Sequence, residues 1–176
     1  IYDVLSYMLK ESDNHSAITI FKLLGAKYKK QPASLEDAQD VVSSFLTELG
    51  VDRYSYEILE GSGLTRYNKV NAEMYIKMLK YMYDDRFLFD YFMNSLSIAG
   101  KDGTLKNRMI GTEAEGNVYA KTGTINSVSA LSGYVIDKDS EVLMFYVVMN
   151  GFGGNATEMR AAQDDVCILL SQFSRN

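Results

Sequence analysis

Two short motifs in the sequence combine residue types that can move a proton and hold a charged group. Ser12-Asp13-Asn14 offers a hydroxyl that can relay a proton and an amide that can both donate and accept hydrogen bonds. Lys121-Thr122-Gly123 offers an ammonium group, a second hydroxyl and a residue without a side chain. The composition predicts about one chance Ser-x-Asn, and a second occurs at Ser174 to Asn176, but it predicts only about 0.04 chance Lys-Thr-Gly motifs. The Lys-Thr-Gly motif is therefore the more specific signal.

Several other chemistries are excluded or disfavoured by the composition. The single cysteine, Cys167, cannot form an internal disulfide, and the single histidine, His15, leaves too few ligands for a zinc site built from Cys and His. A net charge of −5 without a basic block disfavours nucleic-acid binding. The longest apolar run, from Val142 to Met149, is too short to span a membrane and predicts a buried strand.

Two further motifs have simpler structural interpretations. Gly151-x-Gly153-x-x-Ala156 matches the dinucleotide-binding pattern, but the residues after it leave no room for a second parallel strand, so we interpret it as a tight strand-to-helix turn. Asp137-x-Asp139-x-Glu141 lacks the central glycine and the length of a calcium-binding loop and is interpreted as a charged hairpin tip. His15 is predicted to lie partly exposed on a helix, and Cys167 to pack inside one.

The first half of the chain, which must position the Ser-x-Asn motif, is predicted to be mainly helical. Ser34-x-x-Asp37 resembles a capping box, and Gly50 is predicted to end the helix that follows it. Alternation from Tyr54 to Leu59 predicts a strand. Apolar residues at spacings of three and four predict the other helices, over residues 4–10, 15–24, 72–83 and 86–94, the third with Tyr75, Met78, Leu79 and Met82 facing inward.

The second half, which must position the Lys-Thr-Gly motif, is predicted to be mainly strands. Residues 95–116 show no clear period and are predicted to form an irregular loop region. Strands are predicted over residues 118–124, 128–136 and 142–149, with an antiparallel hairpin joining the last two. A final helix is predicted after an Asn155 cap, with an inward face of Met159, Ala162, Val166, Leu169 and Phe173. Together these elements predict an α+β fold in which helices flank an antiparallel sheet.

Four motifs in order give the chain a resemblance to a known family. Met8-Leu9-Lys10-Glu11-Ser12-Asp13-Asn14 and Tyr119-Ala120-Lys121-Thr122-Gly123-Thr124 resemble the second and third motifs of the penicillin-binding D-Ala-D-Ala carboxypeptidases and endopeptidases. Glu60-Gly61-Ser62-Gly63-Leu64-Thr65-Arg66-Tyr67-Asn68 resembles a loop specific to the low-molecular-mass class C group, which usually has Asp at its first position. Asp102-Gly103-Thr104-Leu105 followed by Arg108 is a weaker fourth similarity.

The resemblance implies a site, a fold and a reaction. The fold would be part of a penicillin-binding, serine β-lactamase-like transpeptidase fold, and the reaction would be hydrolysis of peptidoglycan stem peptides through an acyl-enzyme that β-lactams also form. It implies no metal and no organic cofactor, and an extracytoplasmic location in the periplasm or at the outer face of the membrane. The residues that match the family's catalytic positions are Ser12, Asn14 and Lys121, and those that match its substrate-binding positions are Thr122, Gly123 and Thr124.

The family's first motif, Ser-x-x-Lys, which holds the nucleophile and its base, is absent from this sequence. The nearest match is Thr19-Ile20-Phe21-Lys22, which falls after the second motif instead of before it and is interpreted as part of a helix. Residues 1–176 are therefore expected to be the C-terminal part of a single DD-peptidase domain whose N-terminal part, carrying the nucleophile, is missing. On this interpretation the chain alone is inactive and its missing N-terminal part is a partner of the site.

Two alternative functions remain open from the sequence. One is a non-catalytic module that binds cell-wall peptides, in which case the complete protein would also lack Ser-x-x-Lys. The other is a β-lactamase or serine esterase of the same superfamily, which shares the second and third motifs. Carboxypeptidase and endopeptidase action are not distinguished by the residues present.

Overall fold

The computed structural model describes residues 1–29 and 31–175, which form two compact units. The first unit contains residues 1–12 and the chain from residue 82 onward, and the second contains residues 13–81. The helices are α1 (Tyr2–Glu11), α2 (Asn14–Tyr28), α3 (Leu35–Glu48), α4 (Ala72–Asp84), α5 (Arg86–Ser95) and α6 (Thr157–Ser171). The strands are β1 (Ser97–Ile98), β2 (Val118–Ile125), β3 (Val128–Ile136) and β4 (Val142–Asn150), and two short 3-10 helices cover Arg53–Ser55 and Gly103–Leu105.

The sheet of the first unit is antiparallel throughout, with the strands in the order β1-β2-β3-β4. β2 and β3 pair along their full lengths, from Val118 opposite Val135 to Ile125 opposite Val128. The α+β fold, the three long strands and the hairpin between β3 and β4 are therefore confirmed. β1 was not predicted, because a strand of two residues inside the irregular stretch of residues 95–116 leaves no periodicity to recognise.

The core of the first unit lies between the sheet and α6. Its buried members include residues of β2 and β3 together with Phe145 and Cys167. Val142–Met149 is only partly the buried strand that its apolar run predicts: Phe145 is buried, whereas Val148 is exposed. β4 is also the last strand of the sheet among the described residues.

The predicted inward face of α6 is wrong at its C-terminal end. Leu169 and Phe173 are exposed, and the buried residues of the helix are Gln163, Cys167 and Ser171. Burial of Gln163 is compensated because its side-chain amide donates to Ser129 Oγ at 3.0 Å, which a count of apolar residues cannot predict. Asn155 does accept from the backbone N–H of Thr157 at 2.8 Å, although it lies one residue before the helix cap.

The second unit is built from α2, α3 and most of α4. The capping box is confirmed: the Ser34 hydroxyl accepts from the backbone of Asp37, whose carboxylate accepts from the backbone of Ser34. Its core contains Leu46 and Met74, whereas Met78, predicted to face inward on α4, is exposed. The prediction is confirmed at Leu79, which is buried, and at Tyr75, which packs against the core, whereas the buried Met74 was not predicted.

The predicted strand over Tyr54–Leu59 is wrong. The Asp52 carboxylate accepts from the backbone N–H of Tyr54 at 3.0 Å and starts the 3-10 helix Arg53–Ser55. Only a single bridge, between Glu57 and Lys69, follows it. The alternation of side chains in this segment therefore reflects a tightly turned loop in which Tyr56 is buried and Tyr54 is exposed.

Gly133 is the position at which the sheet tolerates no side chain. A Cβ atom there would collide with the carbonyl oxygen of Tyr119 and would lie 2.7 Å from Ala120 Cα, both backbone atoms of β2. We predict that Gly133→Ala lowers the free energy of unfolding by about 3 kcal/mol or more, because the strands must separate to admit the methyl group. Chemical denaturation of the complete protein that carries this chain measures the loss.

Gly123→Ala is the matched control for that measurement. Gly123 lies on β2, next to β3, and its added Cβ would meet only Ala130 Cβ, at an ordinary contact distance of 3.7 Å. Its effect on stability is expected to stay within about 0.5 kcal/mol. Equal losses for the two variants would contradict the packing explanation.

Candidate active site

Ser12 is placed by the way α1 ends. It is the C-terminal cap of α1, with left-handed backbone angles of φ 57° and ψ 46°, and its backbone N–H donates to the carbonyl of Met8. Left-handed geometry is unfavourable for a residue with a Cβ, so the helix end holds Ser12 in a conformation that needs support from its surroundings. The next residue, Asp13, caps α2 by accepting from the backbone of Ser16 at 2.8 Å.

Lys121, on β2, supplies that support. Its Nζ donates to Ser12 Oγ at 2.6 Å and to the carbonyl oxygen of Thr122 at 2.8 Å. The two motifs predicted to act together, 109 residues apart in the chain, are thus joined by a direct hydrogen bond. Burial lowers the pKa of Lys121 from 10.5 to about 8. An ammonium group with this pKa is close to losing its proton near neutral pH, and it faces a hydroxyl that can accept or pass on a proton.

The remaining residues of the Lys-Thr-Gly-Thr motif follow along β2. Thr122 is half-buried, and Gly123 and Thr124 are exposed. Arg160 of α6 donates to Thr124 Oγ1 at 3.4 Å. Two hydroxyl side chains and a glycine therefore follow Lys121 along the outer half of the strand.

The edge of this half of β2 is open. β1 pairs only with Ala120 and Tyr119, so within the described part of the chain Lys121–Ile125 has a paired strand, β3, on one side only. A free strand edge presents unpaired backbone donors and acceptors that an extended peptide can use. The motif thus combines a positive charge, hydroxyls and a docking edge for a backbone.

Asn14 belongs to the second unit, where it is the first residue of α2 and has an exposed side chain. It therefore lies outside the unit that contains Ser12 and Lys121. Of the six predicted site residues, the first unit therefore brings together Ser12, Lys121 and the Thr122–Thr124 segment. The role of Asn14 stays a prediction.

A turn that the sequence marks only weakly lies between the two motifs. Asp102, Gly103 and Thr104 form this turn. Asp102 is the N-terminal cap of the 3-10 helix Gly103–Leu105, and the other two residues are its first two. Asp102 forms an ion pair with Lys10 at 2.5 Å, and Thr104 accepts a hydrogen bond from Thr122 at 2.9 Å. The turn therefore contacts α1 two residues before Ser12 and β2 one residue after Lys121. Sequence reasoning found the similarity of Asp102-Gly103-Thr104-Leu105 to the family but assigned no role to it.

Arg108, which follows the turn, fixes the same region to α6. Its guanidinium group donates to the Asp164 carboxylate at 2.9 Å, to the carbonyl of Arg160 at 3.0 Å and to the Gln163 side chain at 3.2 Å. Charge-assisted hydrogen bonds of this kind are stronger and more directional than neutral ones. These polar contacts help to hold the irregular stretch between α5 and β2, together with its backbone hydrogen bonds and its buried apolar residues Leu105 and Met109.

The loop that begins at Glu60 is ordered by its own hydrogen bonds in the second unit. Burial alone would raise the pKa of Glu60, but hydrogen bonds from Ser62 and Thr65 outweigh it and hold the pKa below its usual value. Asn68 closes the loop by donating to the carbonyl of Glu60 at 2.9 Å. A Cβ at Gly61 would lie 2.7 Å from Phe21 Cβ, which explains a glycine there.

The other candidate sites from the sequence do not assemble. Cys167 is buried, and burial raises the pKa of its thiol to about 12, which makes it unreactive. Within residues 1–29 and 31–175, no group of three or more His, Cys, Asp or Glu residues is arranged to hold a metal ion. Asp137 accepts from the backbone of Asp139 and Glu141 and so closes the β3–β4 hairpin tip, as predicted. No helix in the described chain has the length and apolarity that a membrane span requires.

The lowered pKa of Lys121 predicts a pH-dependent stability. Between pH 8 and 10.5 the unfolded chain still binds the lysine proton while the folded chain has lost it, so this group makes folding more favourable as pH rises through that window. We predict that the free energy of unfolding of the wild type, relative to Lys121→Met, increases by up to about 3 kcal/mol between pH 7 and pH 11.

Denaturant titrations of the complete protein at several pH values measure this difference. Lys106→Met, at an exposed position, controls for the loss of a surface charge. A stability difference between wild type and Lys121→Met that does not change with pH would show that Lys121 keeps an ordinary pKa.

Comparison with solved structures shows the fold family. The chain matches the crystal structure of penicillin-binding protein 4 (dacB) from Haemophilus influenzae with a TM-score of 0.89 and 28% identity, over 97% of this chain and 40% of that one. A structure of the same protein complexed with a novel β-lactam matches with a TM-score of 0.84 and 29% identity, over 97% of this chain and 41% of that one. An extended-spectrum β-lactamase matches at 17% identity with a TM-score of 0.70, over 95% of this chain and 61% of that one, and shares the fold. The expected penicillin-binding, β-lactamase-like fold is thus confirmed.

Comparison with curated sequences shows the same relationship. The D-alanyl-D-alanine carboxypeptidase DacB of Haemophilus influenzae is 33% identical over 177 residues, which cover 99% of this chain and 36% of the relative. The D-alanyl-D-alanine carboxypeptidase of an Actinomadura species is 38% identical over 178 residues, which cover 98% of this chain and 32% of the relative. The chain therefore spans about a third of the length of these relatives. The sequence profile of the D-Ala-D-Ala carboxypeptidase 3 (S13) family matches residues 1–172, and the chain belongs to that family.

Proposed function

We propose that the protein carrying this chain is a serine-type D-Ala-D-Ala carboxypeptidase or endopeptidase, and that this chain supplies the half of its active site that supports the nucleophile. The observation that carries the proposal is the 2.6 Å hydrogen bond from Lys121 Nζ to Ser12 Oγ, made by a lysine whose pKa is lowered to about 8. The relatives are named as D-alanyl-D-alanine carboxypeptidases, which favours the same activity here.

Ser12 and Lys121 are suited to move a proton during acyl transfer. Release of D-alanine requires a proton at the leaving amine, and a hydroxyl hydrogen-bonded to an ammonium group can donate one and be reprotonated by that group. At neutral pH most Lys121 side chains are protonated, so the proton is available. Asn14, two residues after Ser12, is proposed to donate its amide N–H to the substrate carbonyl.

The outer half of β2 is suited to hold the peptide. An extended substrate can add to the open edge beside Gly123, which brings no side chain into the space next to the docked backbone. The hydroxyls of Thr122 and Thr124 and the positive charge of Lys121 can bind the terminal carboxylate of a D-Ala-D-Ala peptide. The substrate class proposed is therefore the peptidoglycan stem peptide, and β-lactams are proposed as acylating inhibitors because they carry a carboxylate next to a reactive carbonyl. These ligands act outside the cytoplasm, and we propose that the protein does so too.

The nucleophile is proposed to lie in another part of the complete protein. The sequence contains no Ser-x-x-Lys, and the relatives are about three times as long as this chain. On this proposal residues 1–176 are the C-terminal part of one catalytic domain and are inactive alone.

Intact mass spectrometry after exposure to benzylpenicillin tests the proposal. The complete protein is expected to gain one penicilloyl group, and this chain alone is expected to gain none. Slow loss of the adduct supports a peptidase, whereas rapid loss would indicate a β-lactamase. Failure of the complete protein to gain the group would favour a non-catalytic module that binds cell-wall peptides.

A substitution at Ser12 tests the proton-transfer role. We predict that Ser12→Ala lowers the rate of acylation of the complete protein by about 10²- to 10⁴-fold, the range that positioned acid-base groups contribute. Ser6→Ala, on the same helix α1 but six residues away from the motif, is the matched control and is expected to leave the rate unchanged. A normal rate in Ser12→Ala would remove Ser12 from the mechanism.

A further inference from the structure

Three hydroxyl groups form a continuous chain that ends at the substrate-binding strand. Thr122 Oγ1 donates to Thr104 Oγ1 at 2.9 Å, and Thr104 Oγ1 lies 3.1 Å from Ser97 Oγ. The Ser97 hydroxyl in turn donates to the carbonyl oxygen of Lys10 at 3.4 Å and accepts from the backbone N–H of Thr104 at 3.1 Å. This row of hydrogen-bonded hydroxyl groups therefore runs from β2, through the Asp102–Thr104 turn, to the last turn of α1.

The direction of the hydroxyl protons limits what Thr122 can do. A hydroxyl has one proton to donate, and in this arrangement Thr122 gives its proton to Thr104. To donate to an anion at the open edge of β2, Thr122 must turn its proton outward and accept one from Thr104 instead. Thr104 can turn its own proton toward Thr122 if the Ser97 hydroxyl, 3.1 Å away, turns from the long 3.4 Å bond to the Lys10 carbonyl and donates to Thr104 instead.

The turn that carries Thr104 is held in position independently of Thr122. Asp102 Oδ2 pairs with Lys10 Nζ, and Asp102 Oδ1 accepts from the backbone N–H of Ile98 at 2.9 Å. A Cβ at Gly103 would collide with Ser97 Oγ and lie 2.9 Å from the carbonyl oxygen of Lys10, so the glycine lets the turn pack directly on the end of α1. Thr104 is therefore held by its neighbours and not only by its bond to Thr122.

From these contacts we propose that Thr104 is a positioning residue for carboxylate recognition: when a ligand carboxylate binds at β2, the hydroxyl chain reverses, and Thr104 donates to Thr122 so that Thr122 donates to the carboxylate. Hydroxyls linked in one direction polarise each other, which strengthens the outermost bond. The inference rests on the proposed function and adds to it a residue that does not touch the ligand.

A comparison of two ligands tests this inference in the complete protein. Benzylpenicillin carries the carboxylate, and benzylpenicillin methyl ester has the same ring without that charge. The readout is the second-order rate constant for acylation by benzylpenicillin divided by that for acylation by the methyl ester. We predict that Thr104→Val, which keeps the shape of the side chain but removes the hydroxyl, lowers this ratio by about two- to tenfold, the equivalent of one hydrogen bond.

Three controls separate positioning from general structural damage. Thr104→Ser, which restores the hydroxyl, is expected to restore the ratio. Thr47→Val removes a threonine hydroxyl that bonds only to a backbone carbonyl in the second unit, and it is expected to leave the ratio unchanged. Adding Thr104→Val to Thr122→Val is expected to cause no further loss, because Thr104 acts through Thr122.

Each other outcome overturns a defined part of the argument. If Thr104→Val slows acylation by both ligands equally, or has no effect, the positioning role is wrong while the proposed function stands. If the wild-type complete protein is acylated by neither ligand, the proposed function fails and the inference falls with it.

Discussion

The burial of the Lys121 ammonium group is the constraint on which the rest of the site depends. A buried charge needs hydrogen-bond partners to replace water. The Lys121 ammonium group donates to two acceptors, Ser12 Oγ and the carbonyl oxygen of Thr122. The first acceptor exists only because α1 ends at Ser12 in a left-handed conformation that carries the hydroxyl to the strand. The second belongs to the same strand as the lysine. The Lys121 ammonium group therefore links the helix end to the strand, beside the Lys10–Asp102 ion pair that also anchors this end of α1.

The irregular stretch between α5 and β2 combines backbone hydrogen bonds with side-chain contacts to neighbouring elements. Asp102 holds Lys10 near the end of α1, and Arg108 binds Asp164 on α6. Both ion pairs are partly buried, which makes their geometry more demanding than that of a surface pair and their loss more costly. A stretch that is irregular in secondary structure is thus highly specified in its contacts.

The sequence predicted regular elements better than it predicted contacts. Strands such as Val128–Ile136 and the capping box at Ser34 follow from local patterns, and the structure confirms both. The segment Tyr54–Leu59 shows the limit of such patterns, because a single carboxylate, that of Asp52, was enough to turn an alternating sequence into a 3-10 helix. On α6 the limit is different: Gln163 is buried because Ser129 accepts its hydrogen bond, and no local pattern reports a partner on another element.

Short sequence motifs made part of the site predictable, and the part that depends on contacts between distant residues was missed. Ser12 and Lys121 belong to short motifs whose residue types are conspicuous, so their association could be inferred from resemblance before the structure placed them 2.6 Å apart. The Asp102–Thr104 turn could be noticed but not interpreted. Its role lies in contacts to Lys10 and to Thr122, which are far from it in sequence and invisible without the fold.

The eight residues of β2 contribute to both the hydrophobic core and the candidate site. Its first half, Val118–Ala120, alternates between buried and half-buried positions and has paired strands on both sides at Tyr119 and Ala120. Its second half, from Lys121, is paired on one side only among the described residues and is exposed at Gly123 and Thr124. An open edge is ordinarily a risk for unwanted strand pairing, which proteins limit with charge or cover. Here the ammonium group of Lys121 marks the point where the edge opens, and its positive charge is the feature that would favour the carboxylate-ended peptide proposed as the substrate.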